Sequence, residues 1–437
     1  MGAKRILPPP PYRRRNGVEI WALEILREVP GVLGAVLWQD LRHLRSWDDA
    51  RPYKSGKVVI PDRRGMMFHP RRARWAEELR RDAALETPAL AEALETFRGF
   101  TNLPLTVNES AVASACDVVA QWATENGHGD TAIHFSEAAA VIDRSSARRA
   151  RMAGKLAREA GDFPRAEVWF QRGIGLAQKQ ANWAEYTRAH LGLGIMYMRT
   201  GQESRAKKHF NSGSTVAMRE GHEWLAAEAQ HDLFHFMTVR GRYVDGEIHA
   251  RRALSWYPKH NERFPYFIAD VAFLFVCKRH YTAAAQLLRE FAQKIKPPNS
   301  VLGLSLLVRA LASAGKRGEF SRRRERLLRL LEKHKKYEAA ARWNLAHAER
   351  AAGMWEAATA NARLAVKLAH QRKDAETEDL ARRLLEEIEA GTPAAAEIHR
   401  TDHDFRVFVD DLLGRIAAWS PTRRGRPPGE SRNDWAA

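Results

Sequence analysis

Two histidines one helical turn apart are the residues of this 437-residue chain best spaced for chemistry. In the run His231-Asp232-Leu233-Phe234-His235, a helix aims both imidazoles at one face, which is a spacing that zinc accepts. Hydrolysis at such a site needs a general base beside the metal-bound water. Asp232 occupies that place, one methylene shorter than the glutamate that would reach the water, and no third ligand follows. His399 and His403 repeat the interval among 17 histidines, so the spacing is not distinctive. The sequence therefore predicts no metal and no cofactor, with a metalloenzyme on His231 and His235 as the enzymatic alternative. Gly173 with Gly175, and Gly192 with Gly194, match fragments of a dinucleotide fingerprint. They stand in helical patterns with no preceding strand, where that fingerprint has no meaning. No glycine-rich phosphate loop ends in Lys followed by Ser or Thr, and no serine sits in a nucleophile elbow. No catalytic residue is assigned, and the chain is expected not to be an enzyme.

The charge balance points to binding instead. The net charge is +18 and the pI about 10.1. That excess favours an anionic partner, although an arginine-rich composition alone produces the same number. Cys116 and Cys277 match no Cys-x-x-Cys spacing, which suits a reducing compartment. The first fifteen residues hold four prolines and no apolar segment of the signal-peptide kind. The longest near-apolar run, Phe267 to Cys277, is interrupted by Asp270 and is too short to span a bilayer. A soluble, cytoplasmic protein with no membrane partner is expected.

The elements that must carry these residues are helices in a fixed period. Gly161-x4-Ala166-x3-Phe170-x2-Gly173 recurs as Gly201-x4-Ala206-x3-Phe210-x2-Gly213. Gly241 opens a third copy with Gly246, Ala250 and Ala253, so the lead glycines step by 40 residues. Gly154 and Gly194 stand seven residues before the first two, and small residues there allow close helix packing. Gly127-x4-Ala132-x3-Ser136-x2-Ala139 lies 34 residues before Gly161, and Gly353-x4-Ala358-x3-Ala362-x2-Ala365 is a late copy. Downstream of Gly241 the pattern weakens, and Arg279 stands where glycine is expected. A period of this size means stacked supersecondary units. The pattern resembles the tetratricopeptide repeat family, and its long step resembles the extended units of bacterial regulators. The resemblance implies an all-α superhelical solenoid of about six to seven helical hairpins over 108–390. The aromatic that often opens the first helix of a unit is mostly absent, and the closing proline appears only at Pro258.

In that family, fixed offsets of each unit's first helix line a concave ligand groove. Carried over by offset, the groove takes Arg148, Arg151, Lys155 and Arg158, then Arg188, Leu191, Ile195, Met198 and Arg199. Glu228, His231 and His235 follow, then Tyr266, Phe273, Trp343, His347 and Arg350. A basic end and an apolar middle suit a protein or peptide segment with acidic and apolar residues. A solvated basic helix face accounts equally simply for Arg148 to Arg158. Members that bind chaperone tails use a Lys/Asn carboxylate clamp. Lys155 and Gly192 stand where asparagines are needed, and Glu228 and Asp232 where cations are needed, which excludes such tails.

The flanks complete the plan. Residues 1–16 read as a disordered Pro- and Arg-rich leader, and 17–107 as an α-helical region of no assigned family. In that region Val32, Leu33, Val36, Leu37, Leu41 and Leu44 share one helical face. Asn108 is placed to cap the first repeat helix. An amphipathic helix in 391–419 is expected to cap the solenoid, followed by a disordered tail at 420–437. The span from Lys316 to Lys336 holds ten Lys or Arg and three Glu. In the tail, Arg423, Arg424, Gly425, Arg426 and Pro427 contain Arg-Gly-Arg-Pro. That run resembles the core of an AT-hook, an extended arm for the narrow minor groove of DNA. The leading expectation is a non-catalytic scaffold or regulator. Direct nucleic-acid binding and reception of a small signalling peptide are the alternatives.

Overall fold

A computed structural model describes residues 6–10, 14–15, 18–19, 21–49, 70–102, 108–258, 261–297, 299–335, 337–372, 374–400 and 403–420. Arg423, Arg424, Gly425, Arg426 and Pro427 lie outside the described residues. Helices dominate. Among the described residues the only strands are Arg14–Arg15 and Val18–Glu19, paired antiparallel. The run Val18 to Val29, whose apolar residues have helical spacing, opens as a strand and is helical only from Trp21. The chain divides into two compact units, 1–192 and 193–437.

The first unit opens with α1 (Trp21–Glu28), α2 (Gly31–Asp49), α3 (Pro70–Glu86) and α4 (Ala91–Asn102). Two hairpins follow: α5 (Glu109–Glu125) with α6 (Gly129–Ile142), and α7 (Ala147–Glu159) with α8 (Phe163–Lys179). The apolar face of α2 behaves as its spacing requires. Leu33, Val36, Leu37, Leu41 and Leu44 are buried with Phe97, Val119 and Phe135, so these helices share one core with the first hairpin. Asn108 does cap α5: its Oδ1 accepts from the amides of Ser110 at 3.0 Å and Ala111 at 3.3 Å. The N-terminus of α6 has no cap of its own. Glu28 of α1 supplies one, accepting from the amides of Asp130 at 2.9 Å and Thr131 at 2.8 Å. A carboxylate there also meets the positive end of the helix dipole. The boundary between units falls within α9 (Trp183–Arg199).

The second unit runs from α10 (Glu203–Arg219) through three clear hairpins and a fourth. These are α11 (Glu223–Val239) with α12 (Tyr243–Trp256), and α13 (Phe264–Cys277) with α14 (Tyr281–Lys294). Then come α15 (Ser300–Ser313) with α16 (Arg317–Lys333), and α17 (Glu338–Ala351) with α18 (Trp355–Gln371). Helix α19 (Ala375–Glu389) packs on α18 and α17. The glycine between hairpin helices is left-handed, as at Gly241 with φ 73°, because the chain must reverse in two residues. Arg279 takes the same conformation, φ 64°, which explains how this hairpin forms without the glycine. The small residues seat rings: a Cβ on Gly194 would come within 2.4 Å of Phe210.

The last helix, α20 (His403–Ala418), lies on α13 and α14 rather than over the final hairpin. Its apolar face decides this. Phe405 and Phe408 meet Phe275 at centroid distances of 5.2 and 6.2 Å. The approach is pinned by backbone contacts: the Ile398 amide donates to Arg279 O at 2.8 Å, and Glu397 accepts from the Thr282 amide at 2.6 Å at the start of α14.

Candidate ligand-binding face

The two histidines of α11 converge on Asp270 of α13. His231 is buried, with Nε2 donating to Asp270 Oδ2 at 2.8 Å and Nδ1 2.8 Å from the Tyr257 hydroxyl. Burial lowers the pKa of His231, so the neutral ring accepts at Nδ1 from Tyr257. His235 lies between two carboxylates, Asp270 at 3.5 Å and Glu376 of α19 at 3.8 Å. Burial opposes its charge, but Asp270 and Glu376 outweigh that and hold its pKa well above the usual histidine value. Asp270 is held correspondingly below the usual carboxylate range: burial raises it, and His235 and His231 prevail. Asp232 is held in an ion pair. Arg263 donates to it at 2.8 Å and to Glu228 at 3.2 Å. Among the described residues no group of three or more His, Cys, Asp or Glu could hold a metal ion.

From His235 a row of rings continues along the unit. Phe273 is 6.3 Å from His235, Trp343 is 6.0 Å from Phe273, and His347 is 5.1 Å from Trp343. Three of these four, Phe273, Trp343 and His347, line a cavity of about 350 Å³ between α12, α13, α15, α17 and α19. Its charged lining is Arg279, Arg309, Arg350, Arg383 and Glu387, beside Tyr243 and Cys277. The Arg309 guanidinium lies 4.9 Å over the Trp343 ring, a cation–π contact. Burial pushes Arg309 down, and burial with Arg309 and Arg350 pushes His347 well below its ordinary value, so His347 is neutral. Burial pushes the Cys277 thiol up to about 11, which makes it an inert lining group rather than a nucleophile at neutral pH.

The offsets thus bring His235, Phe273, Trp343 and His347 together. Tyr266 is not in this group; it stands against Phe291 at 6.4 Å. Arg199 is half-buried near the end of α9. In the first unit, Arg151 is buried and donates to Glu185 at 2.7 Å, and Glu185 also accepts from Arg188 at 2.9 Å. Those two guanidiniums hold Glu185 ionised against the cost of its burial. Arg158 is buried, while Arg148 and Lys155 are half-buried. The basic run is therefore largely internal helix chemistry, not the open cationic face expected from spacing. Arg309, Asp270 and Glu376 escaped the sequence reading. Their signal was faint: Arg309 and Asp270 each interrupt an otherwise apolar helix.

No family model matches the sequence, and no curated protein matches it. Among solved structures, the crystal structure of a Rap protein complexed with competence and sporulation factor aligns over 81% of this chain and 98% of its own, at 9% identity and a TM-score of 0.33. The crystal structure of the P58(IPK) TPR domain aligns over 72% and 98%, at 13% identity and a TM-score of 0.21. The class is defined by the hairpins themselves: the described residues form an all-α array of successive helical hairpins. Among the described residues no helix is long and apolar enough to cross a membrane.

Proposed function

We propose that this protein is a non-catalytic scaffold or regulator that binds a protein or peptide segment bearing apolar and acidic residues, and that the second unit's ring-lined cavity receives it. The observation that carries this reading is the row Phe273–Trp343–His347 with the half-buried Arg309 guanidinium lying over Trp343. Aromatic rings supply large contact area with little conformational entropy to lose, and a cation at the end of such a wall selects an acidic neighbour. About 350 Å³ accommodates one or two side chains, as a specificity pocket for a longer segment or for a small signalling peptide. The test is panning of a random peptide display library against the full chain at physiological salt. Enrichment of peptides pairing an aromatic or aliphatic residue with Asp or Glu is expected; enrichment of basic peptides, or none, contradicts the reading.

A second reading has one specific support. Arg322, Arg326, Arg329 and Lys333 of α16 are exposed at helical spacing, a stripe suited to phosphates. Nucleic-acid binding through it would weaken steeply as salt rises, whereas peptide binding in a ring-lined cavity would change little.

A further inference from the structure

We infer that the cavity of the second unit is a carboxylate site, in which Arg309 and Arg350 together hold one carboxylate of the ligand. The inference rests on the peptide-binding reading and names the group that anchors the ligand. Arg309 has no carboxylate within ion-pair distance among the described residues. Arg309 is half-buried; it donates to the Asn344 amide oxygen at 3.4 Å, and its guanidinium lies over the Trp343 ring. Arg350 is buried and donates to Glu387 at 2.5 Å, and that carboxylate is half exposed. Two guanidiniums facing one carboxylate leave a single uncompensated positive charge. Buried charges ordinarily have ionic partners, because an isolated one forfeits its hydration without return. Two further donors of the cavity lining, Trp343 Nε1 and Arg350 Nε, are buried with no hydrogen-bond partner among the described residues. Unmet buried donors are costly, and an incoming acceptor relieves them.

The chemistry selects a monoanion rich in acceptors. Phosphate would bring a second charge that only exposed or already paired arginines could answer: Arg279 is exposed, and Arg383 is paired with Asp379. A carboxylate also fits the walls, because its carbon neighbours can lie against Phe273 and Leu384. These residues differ from the positions of the chaperone-tail clamp, so the exclusion of that clamp does not touch them. The carboxylate comes either from an Asp or Glu side chain or from a chain terminus, and the experiment separates the two.

The experiment measures thermal stabilisation and affinity of the full chain with small probes. Acetyl-Leu-Asp-amide against acetyl-Leu-Asn-amide tests a side-chain carboxylate; acetyl-leucine against acetyl-leucinamide tests a terminal one. In at least one pair the acid should bind about tenfold or more tighter than its amide, the scale of a charge-assisted hydrogen bond. Arg309→Met should abolish that preference and, without probe, melt at or above the wild-type temperature, because it removes a half-buried cation that has no carboxylate partner among the described residues. Equal binding of acid and amide in both pairs, or no binding of any probe, overturns the carboxylate site. So does inorganic phosphate binding as tightly as the better acid. An Arg309→Met protein that melts below wild type makes Arg309 a scaffold residue and overturns it as well. Peptide panning reports independently: apolar peptides enriched without acid-over-amide preference leave the peptide site standing and remove only its carboxylate anchor.

Discussion

Replacing Asp270 with Asn removes the negative charge on which both histidines of α11 close. In the native protein the carboxylate takes a hydrogen bond from His231 Nε2 at 2.8 Å and lies 3.5 Å from His235. An asparagine keeps one acceptor but loses the charge, and its amide group turns donors toward a protonated His235. Glu376, at 3.8 Å, is then the remaining counter-charge. Breaking a buried ion pair from one side costs about 3–5 kcal/mol. The Asp270 side chain is 28% exposed, so the expected loss is at the low end, about 3 kcal/mol. The pH dependence gives a sharper signature. His235 has a raised folded pKa, so its contribution is full below the unfolded histidine value near 6.5 and fades as pH climbs through the folded value, by up to about 1.4 kcal/mol per unit. Asp270 has a depressed folded pKa, so its contribution is present above 3.8 and fades as pH falls below that. Wild type should therefore weaken on the alkaline side of neutrality, and Asp270→Asn should flatten that slope and converge on wild type in acid. Repeat arrays open locally, so peptide-resolved hydrogen exchange over α11, α13 and α19 is the fitting assay. Unchanged exchange in all three helices, or an alkaline slope that survives the substitution, would refute the reasoning.

Two further outcomes follow from the packing. A Cβ on Gly192 would lie 2.4 Å from the buried Phe170 ring, so Gly192→Ala should destabilise the first unit by about 1–3 kcal/mol in urea melts despite better helix propensity. Gly318→Ala meets only Arg322 at 3.9 Å and should be neutral or stabilising by up to about 1 kcal/mol. His43, buried in the first unit's core, has its pKa lowered to about 4 by burial and by Arg80 and Arg42. Between pH 6.5 and 4 the unfolded chain takes a proton that the folded one refuses. Stability should fall there by about 3 kcal/mol, and His43→Gln should remove most of that acid sensitivity.

The repeat was readable because its signals are local. Glycine at the turns, and small residues where Phe170 and Phe210 press in, recur at fixed offsets whatever surrounds them. The same offsets placed Phe273, Trp343 and His347 on one face, and the cavity gathers all three. Charge was not readable that way. Arg151 sits at a groove offset, yet Glu185 of α9 pairs with it, and that pairing depends on how neighbouring helices pack. His231 and His235 look like metal ligands along the chain. Across it, they meet Asp270 and Glu376, residues on helices whose proximity no local spacing encodes. Arg279 adopts a left-handed turn without glycine, so the weakened stretch of the pattern hid a hairpin of ordinary geometry. The backward docking of α20 follows from Phe405 and Phe408 meeting Phe275, where amphipathicity alone indicated burial without saying against what.

The central claim is that the second unit's ring-lined cavity binds the ligand segment. Its most direct measurement is the affinity of the best panned peptide for wild type and for Trp343→Ala, by calorimetry at two salt concentrations, with helicity matched. Truncating a buried aromatic anchor at a binding site typically costs 2 kcal/mol or more, about thirtyfold in affinity. A loss of that size with little dependence on salt is expected. Unchanged affinity in Trp343→Ala, or binding that collapses in both proteins as salt rises, would contradict it.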